Sequence, residues 1–150
     1  MTEVIRAATI TDVDGIVAIL VELAHEDGHP SPDVRQVTAV IRACVDSPAR
    51  TIYVCDSAVV AGYIAVHWIP FPRLGGYEGY ISDLAIRTSE RGKGIGSRLL
   101  SVVEGRALEL GCSRLILNNR ISSKSYARGF YKGRGFRQRD EFANLVKVLR

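Results

Sequence analysis

Hydrophobic positions change period along the chain, and each change marks an element. Val4 to Ala7 has the character of a short first strand. Val13, Ile16, Val17, Leu20 and Leu23 then recur on one helical face, behind Thr11-Asp12-Val13-Asp14, which has capping-box spacing with Asp in the usual Glu or Gln place. Gly28 and Pro30 end that helix. Ser31-Pro32 supplies an N-cap and an N1 proline for a second helix with Val34, Val37, Ile41 and Val45 inward, and Ser47-Pro48 stops it. The β-branched and aromatic runs 51–55 and 59–68, separated by Asp56-Ser57-Ala58, predict a hairpin. After a loop of Pro70, Phe71, Pro72, Gly75 and Gly76 comes a strand at about 78–86, then a glycine-rich turn. A helix aligned on Ile95, Leu99, Val103, Ala107 and Leu110 follows and ends at Gly111. The remainder reads as a strand at 115–117, a helix at 123–132 and a terminal pair of strands at 136–140 and 144–149. This pattern predicts an α/β fold, a mixed sheet with helices on its faces.

With 150 residues, 47% hydrophobic and 24% charged, the chain fits one domain spanning 1–150 and excludes disorder and fibres. No apolar run approaches the roughly 20 residues of a membrane-spanning helix, and the first residues lack a signal-peptide pattern, so the expectation is a soluble cytoplasmic protein. Cys44, Cys55 and Cys112 are too few and too scattered for a disulfide framework. Charge is uneven: residues 1–113 carry 10 Lys and Arg against 14 Asp and Glu, whereas 114–150 carry 10 against 2. The basic last quarter suits a small polyanion. Nucleic acid is the weaker reading, since charge alone supports it.

Arg91-Gly92-Lys93-Gly94-Ile95-Gly96 lies between a strand and a helix start, where backbone N–H groups and the helix dipole favour an anion. It is neither a P-loop nor a dinucleotide fingerprint, because G-x-x-x-x-G-K-[ST] is absent and Ser97 stands where the fingerprint usually has glycine. His25-Glu26-Asp27-Gly28-His29 matches H-E-x-x-H in letters. Gly28 and Pro30 break the helix that zinc binding would need, so no metal is expected.

Leu84-x-Ile86, Arg91-x-x-Gly94-x-Gly96 and Ala127-x-x-Phe130-Tyr131-x-x-x-Gly135-Phe136, in that order, resemble the GNAT superfamily of acetyl-CoA-dependent N-acetyltransferases. The element order is similar to the family's over essentially the whole chain. The resemblance implies a GNAT-like mixed, mostly antiparallel twisted sheet of about seven strands flanked by about four helices. It implies acetyl-CoA as acyl donor, with the backbone of Leu84, Ala85 and Ile86 pairing with its pantetheine arm and Ile86 N–H facing the thioester carbonyl. The segment Arg91, Gly92, Lys93, Gly94, Ile95, Gly96 and Ser97 would cradle the pyrophosphate. Lys124 stands where many members have asparagine, so Asn118 or Asn119 is an alternative contact, and Lys124 and Arg128 are candidates for the 3′-phosphate.

Acetyl transfer needs a neutral amine, a polarised carbonyl and a protonated leaving thiolate. A lysine-like amine is neutral in roughly one molecule in 2,500 at pH 7, an unfavourable pre-equilibrium of about 4.6 kcal/mol. Asp83 and Glu78 are the carboxylates on the strand before the cofactor motif, and a water wire is the alternative base. Strand alternation puts Asp83 and Glu78 on opposite faces unless a bulge intervenes. Some family members have a glutamate where this chain has Ser82. Tyr131 matches the family tyrosine that can protonate the thiolate. Glu26 and Asp27, in a loop that in the family often lines the acceptor site, and Trp68, Phe71 and Tyr80 are candidate acceptor contacts. Tyr77 belongs to the same aromatic group. The expected reaction is direct transfer to the primary amine of a small, cationic molecule. A protein or peptide amine, or an acyl-CoA sensor without turnover, is the alternative. A homodimer is permitted by the sequence.

Overall fold

In the computed structural model, which describes residues 2–150, five strands form one sheet in the order β1-β2-β3-β4-β5. These are β1 (Val4–Ala7), β2 (Arg50–Ser57), β3 (Val59–Phe71), β4 (Gly76–Ile86) and β5 (Cys112–Leu117). The first three pairings are antiparallel and β4–β5 is parallel, so the sheet is mixed. Helices α1 (Val13–Glu26) and α2 (Val34–Val45) follow β1, α3 (Ile95–Glu109) connects β4 to β5, and α4 (Lys124–Ala127) is a single turn. Two compact units divide the chain, one ending at Leu117 and the other covering Asn118–Arg150.

Within the first unit, Val13, Ile16, Val17 and Ile19 of α1 and Ile41 of α2 pack with Ile52, Val54, Tyr63 and Ala85 of the sheet. Helix α3 crosses the strands with its own buried stripe of Ile95, Leu99, Leu100, Val103 and Ala107. The start of α1 is fixed by charge as well as packing. Asp12 is buried, accepts from Thr9 N at 2.7 Å and receives the Arg6 guanidinium at 2.7 and 2.9 Å. The cap therefore lies at Thr9–Asp12 rather than Thr11–Asp14: a 3-10 turn at Ile10–Asp12 precedes α1 and shifts the box by two residues. For α2 the cap is Asp33, accepting from Arg35 N and Gln36 N at 3.0 and 3.2 Å, in place of the expected Ser31.

The expected seven strands are corrected to five. The terminal segments 136–140 and 144–149 form no strand, and Leu145, Val146, Val148 and Leu149 are exposed. Alternation supplies only one side of a ladder, and no strand pairs with these residues among the described ones. The helix expected over 123–132 is also shorter, because Gly129 adopts a left-handed φ of +65° after α4 and a 3-10 turn follows at Lys132–Arg134. Among the described residues no helix is long and apolar enough to cross a membrane.

Candidate active site

A bulge in β4 organises the site. Ala65 pairs with Asp83 and Val66 with Ile81, leaving Ser82 as the extra residue. Asp83, Tyr80 and Glu78 consequently pair with Ala65, His67 and Ile69, alternate residues of β3, and share one face. The bulge thus removes the opposition that strict alternation would impose on Glu78 and Asp83. Their surroundings still differ. Glu78 is buried against Arg114, whose guanidinium also lies 5.5 Å from the centre of the Phe71 ring.

Asp83 lines a cavity of about 400 Å³. Ile16, Leu20, Val37 and Ile41 supply apolar wall, and Arg50, Tyr63, His67, Ser82 and Asp83 supply the polar groups. Asp83 is reachable by solvent through the cavity although protein surrounds it, and this desolvation raises its carboxyl above the ordinary range, with Tyr63 opposing. The Tyr63 hydroxyl is fully buried and makes no hydrogen bond of ordinary geometry. Burial and the nearby Asp83 charge raise its pKa strongly. His67 Nε2 lies 2.8 Å from Ser82 Oγ, and burial followed by the Arg50 charge lowers the imidazole pKa.

The glycine-rich turn sits at the end of the same strand. Gly92 and Gly94 have φ of +78° and +76°, and nothing lies within 4 Å of a Cβ built on either. Gly94 is the N-cap of α3 and brings no side-chain cap to the helix start, where backbone N–H groups favour an anion. Two acids of α1 hold the approach to this turn. Glu22 accepts from Thr88 N at 2.6 Å, and Glu26 forms a forked pair with Arg91 at 2.7 Å to each nitrogen. Arg91 Nε donates to Ile86 O at 3.3 Å, and Lys93 pairs with Glu90 at 2.8 Å. On the β5 side, pairing with β4 stops at Ile81–Leu117, so no strand pairs with that edge of Leu84, Ala85 and Ile86 among the described residues. An open edge beside an uncapped helix start is a fitting cradle for an amide-bearing arm and its phosphates.

The sequence candidates thus divide. Asp83 alone of the predicted carboxylates and acceptor contacts lines the cavity. Glu26 is engaged with Arg91, and Asp27 is exposed at the end of α1. Trp68 is buried and donates from Nε1 to Thr51 Oγ at 2.9 Å; Tyr80 lies beside His67, ring centres 6.2 Å apart. Sequence reasoning missed Tyr63, His67, Ser82 and Arg50 as a group. The parity of 63, 65 and 67 on one strand was the available signal. Helix α1 ends at Glu26 and Gly28 has a φ of +69°, so His25 and His29 do not share a helical face.

In the second unit, Tyr131 packs edge-on against Phe130 and Phe136, with ring centres 5.0 and 5.7 Å away. Burial raises its hydroxyl pKa, and Arg128 partly opposes this. Asn119 Oδ1 accepts from Ser123 Oγ and Ser125 Oγ, both at 3.1 Å, which ties it to the start of α4. Lys124 and Arg128 are exposed, Arg128 reaching 5.4 Å from the Phe130 ring centre.

Residues 17–136 match the Acetyltransferase (GNAT) family. An amino-acid acetyltransferase from Ralstonia nicotianae (strain ATCC BAA-1114 / GMI1000) is 33% identical over 129 residues, covering 85% of this chain, which in turn spans only 26% of that relative. Among solved structures, a possible acetyltransferase from Clostridium difficile 630 superposes with a TM-score of 0.85 at 18% identity, covering 100% of both chains. A predicted acetyltransferase from Clostridium acetobutylicum, solved with acetyl-CoA, gives 0.80 at 22% identity, covering 97% of this chain and 96% of its own. Carrying the family's sequence signature over most of its length and sharing its fold, the chain belongs to the GNAT acetyltransferase family.

Proposed function

We propose that the chain moves the acetyl group of acetyl-CoA directly to the primary amine of a small molecule held in the cavity below the β4 bulge. The observation that carries this reading is a carboxylate, Asp83, lining an apolar-walled cavity on β4, the strand whose C-terminal end has an unpaired edge and leads to a helix start without a side-chain cap. Asp83 attracts the ammonium end of the acceptor. The open edge of Leu84 to Ile86 aligns the donor, Ile86 N–H polarises the thioester carbonyl, and the 91–97 turn holds the pyrophosphate. As the amine nitrogen bonds to the carbonyl carbon, the carbon–sulfur bond breaks and Tyr131 gives its proton to the departing thiolate. Burial keeps that phenol protonated at neutral pH.

The cavity, with its volume of about 400 Å³ and its apolar wall, suits a small molecule. Its one cationic lining group, Arg50, has no carboxylate partner among the described residues. A polycation gains nothing there, whereas an acceptor with a carboxylate does, and the Ralstonia relative named as an amino-acid acetyltransferase agrees with this. CoA release is measured with leucine, 3-methylbutylamine and spermidine. Leucine is expected to react best, and Tyr131→Phe to lower kcat about 100-fold while calorimetric acetyl-CoA affinity is retained. Equal kcat in Tyr131→Phe removes the acid role. One-to-one acetyl-CoA binding without turnover of any amine makes the chain an acyl-CoA-binding module instead.

A further inference from the structure

Beside Asp83 the cavity wall holds a second polar pair that the donor and acceptor roles above leave unused. Ser82 is the residue that the bulge adds to β4, and its Oγ lies 2.8 Å from His67 Nε2 on the facing strand. Both line the cavity, as does Asp83, the next residue along the chain. We propose that Ser82 and His67 are the proton exit for the acceptor amine, the Ser82 hydroxyl accepting the ammonium proton as it passes its own proton to His67 Nε2. One N–H bond of the ammonium breaks, one O–H bond re-forms on Ser82, and the positive charge leaves the nucleophile for the imidazole. Asp83 stays ionised as counter-charge to the ammonium. The inference rests on the acetyltransferase reading of the cavity.

The charged and titratable groups around His67 set its resting protonation state. Arg50 faces it across β2 and β3, while Tyr80 and Asp83 approach from β4, Tyr63 lies on its own strand and Cys44 closes the cavity from α2. Burial, and after it the Arg50 charge, favour the neutral imidazole, the form with a ring nitrogen able to accept a proton. Ser82 Oγ is the group hydrogen-bonded to that ring, and so the link that the relay requires.

The test is the pH dependence of kcat/KM for leucine acetylation, with His67→Gln, Ser82→Ala, Ser82→Thr and Asp83→Asn compared with the parent, folding checked by circular dichroism and acetyl-CoA affinity by calorimetry. The titration of the His67 ring is followed separately by NMR. The parent is expected to lose kcat/KM on the acid side with the NMR midpoint of His67, below the ordinary imidazole value of about 6.5. His67→Gln should abolish that limb, Ser82→Ala should lower kcat at least 10-fold, and Ser82→Thr should restore most of it. An acid limb unchanged in His67→Gln, or one lost only in Asp83→Asn, overturns the relay while leaving the acetyltransferase reading intact. A parent protein that turns over none of the amines overturns both.

Discussion

Replacing Gly94 by alanine separates the two reasons for a glycine at this turn. The residue caps α3 at a φ of +76°, and nothing lies within 4 Å of the added Cβ, so the folding cost is conformational and contains no clash. A non-glycine residue in the left-handed region costs roughly 1–2 kcal/mol. For a chain of this length, that corresponds to a fall in Tm of about 2–8 °C. Gly111, with a φ of +73° and equally open space, is the matched control, and Gly111→Ala should lose a similar amount. The two variants should part company in acetyl-CoA titrations. If the turn cradles the pyrophosphate, a methyl group on its open side keeps phosphate from the N–H groups. Losing one charge-assisted hydrogen bond of about 1.5–3 kcal/mol weakens binding roughly 10- to 150-fold. Gly94→Asn adds a further check, because asparagine tolerates the left-handed conformation but retains the bulk. It should recover stability without recovering affinity. Unchanged acetyl-CoA affinity in both Gly94 variants would place the pyrophosphate elsewhere.

Glu26→Gln should weaken the forked pair that steadies Arg91. Both side chains are about one third exposed, so the loss of stability is about 0.5–1 kcal/mol by thermal unfolding, and acetyl-CoA affinity should fall severalfold as the turn loosens. Asp12 carries a pH dependence whose sign is fixed by the Arg6 fork. Its folded-state pKa is depressed, so its contribution is present above the unfolded value of about 3.9 and is lost as pH falls through the lower folded value. Asp12→Asn should therefore cost about 2 kcal/mol near neutral pH and flatten the acid end of the stability curve. An acid limb identical to the parent's would mean that Asp12 is not its source.

The alternation of β1 to β5, the helix stripes of α1, α2 and α3 and the glycine-rich turn are local patterns, and each overlaps its element in the structure, although β3 runs on to Phe71, β4 starts at Gly76 and β5 starts at Cys112. The glycine-rich turn was legible for the same reason, because a turn and the helix start it feeds are adjacent along the chain. The grouping of polar residues around the cavity was less legible. Alternation separates Glu78 from Asp83, and only the unpaired Ser82 reverses that; a bulge is a relation between two strands and leaves no reliable mark on either alone. Residues chosen by charge or ring type met partners supplied from a distance: Glu26 went to Arg91, Glu78 to Arg114, and Trp68 to Thr51. The terminal alternation at 144–149 likewise found no ladder. Sequence determined the elements and the glycine-rich turn because backbone conformation and hydrophobic period are short-range. Tertiary structure alone decided which polar groups share the cavity, because burial and pairing are set by residues distant in the chain.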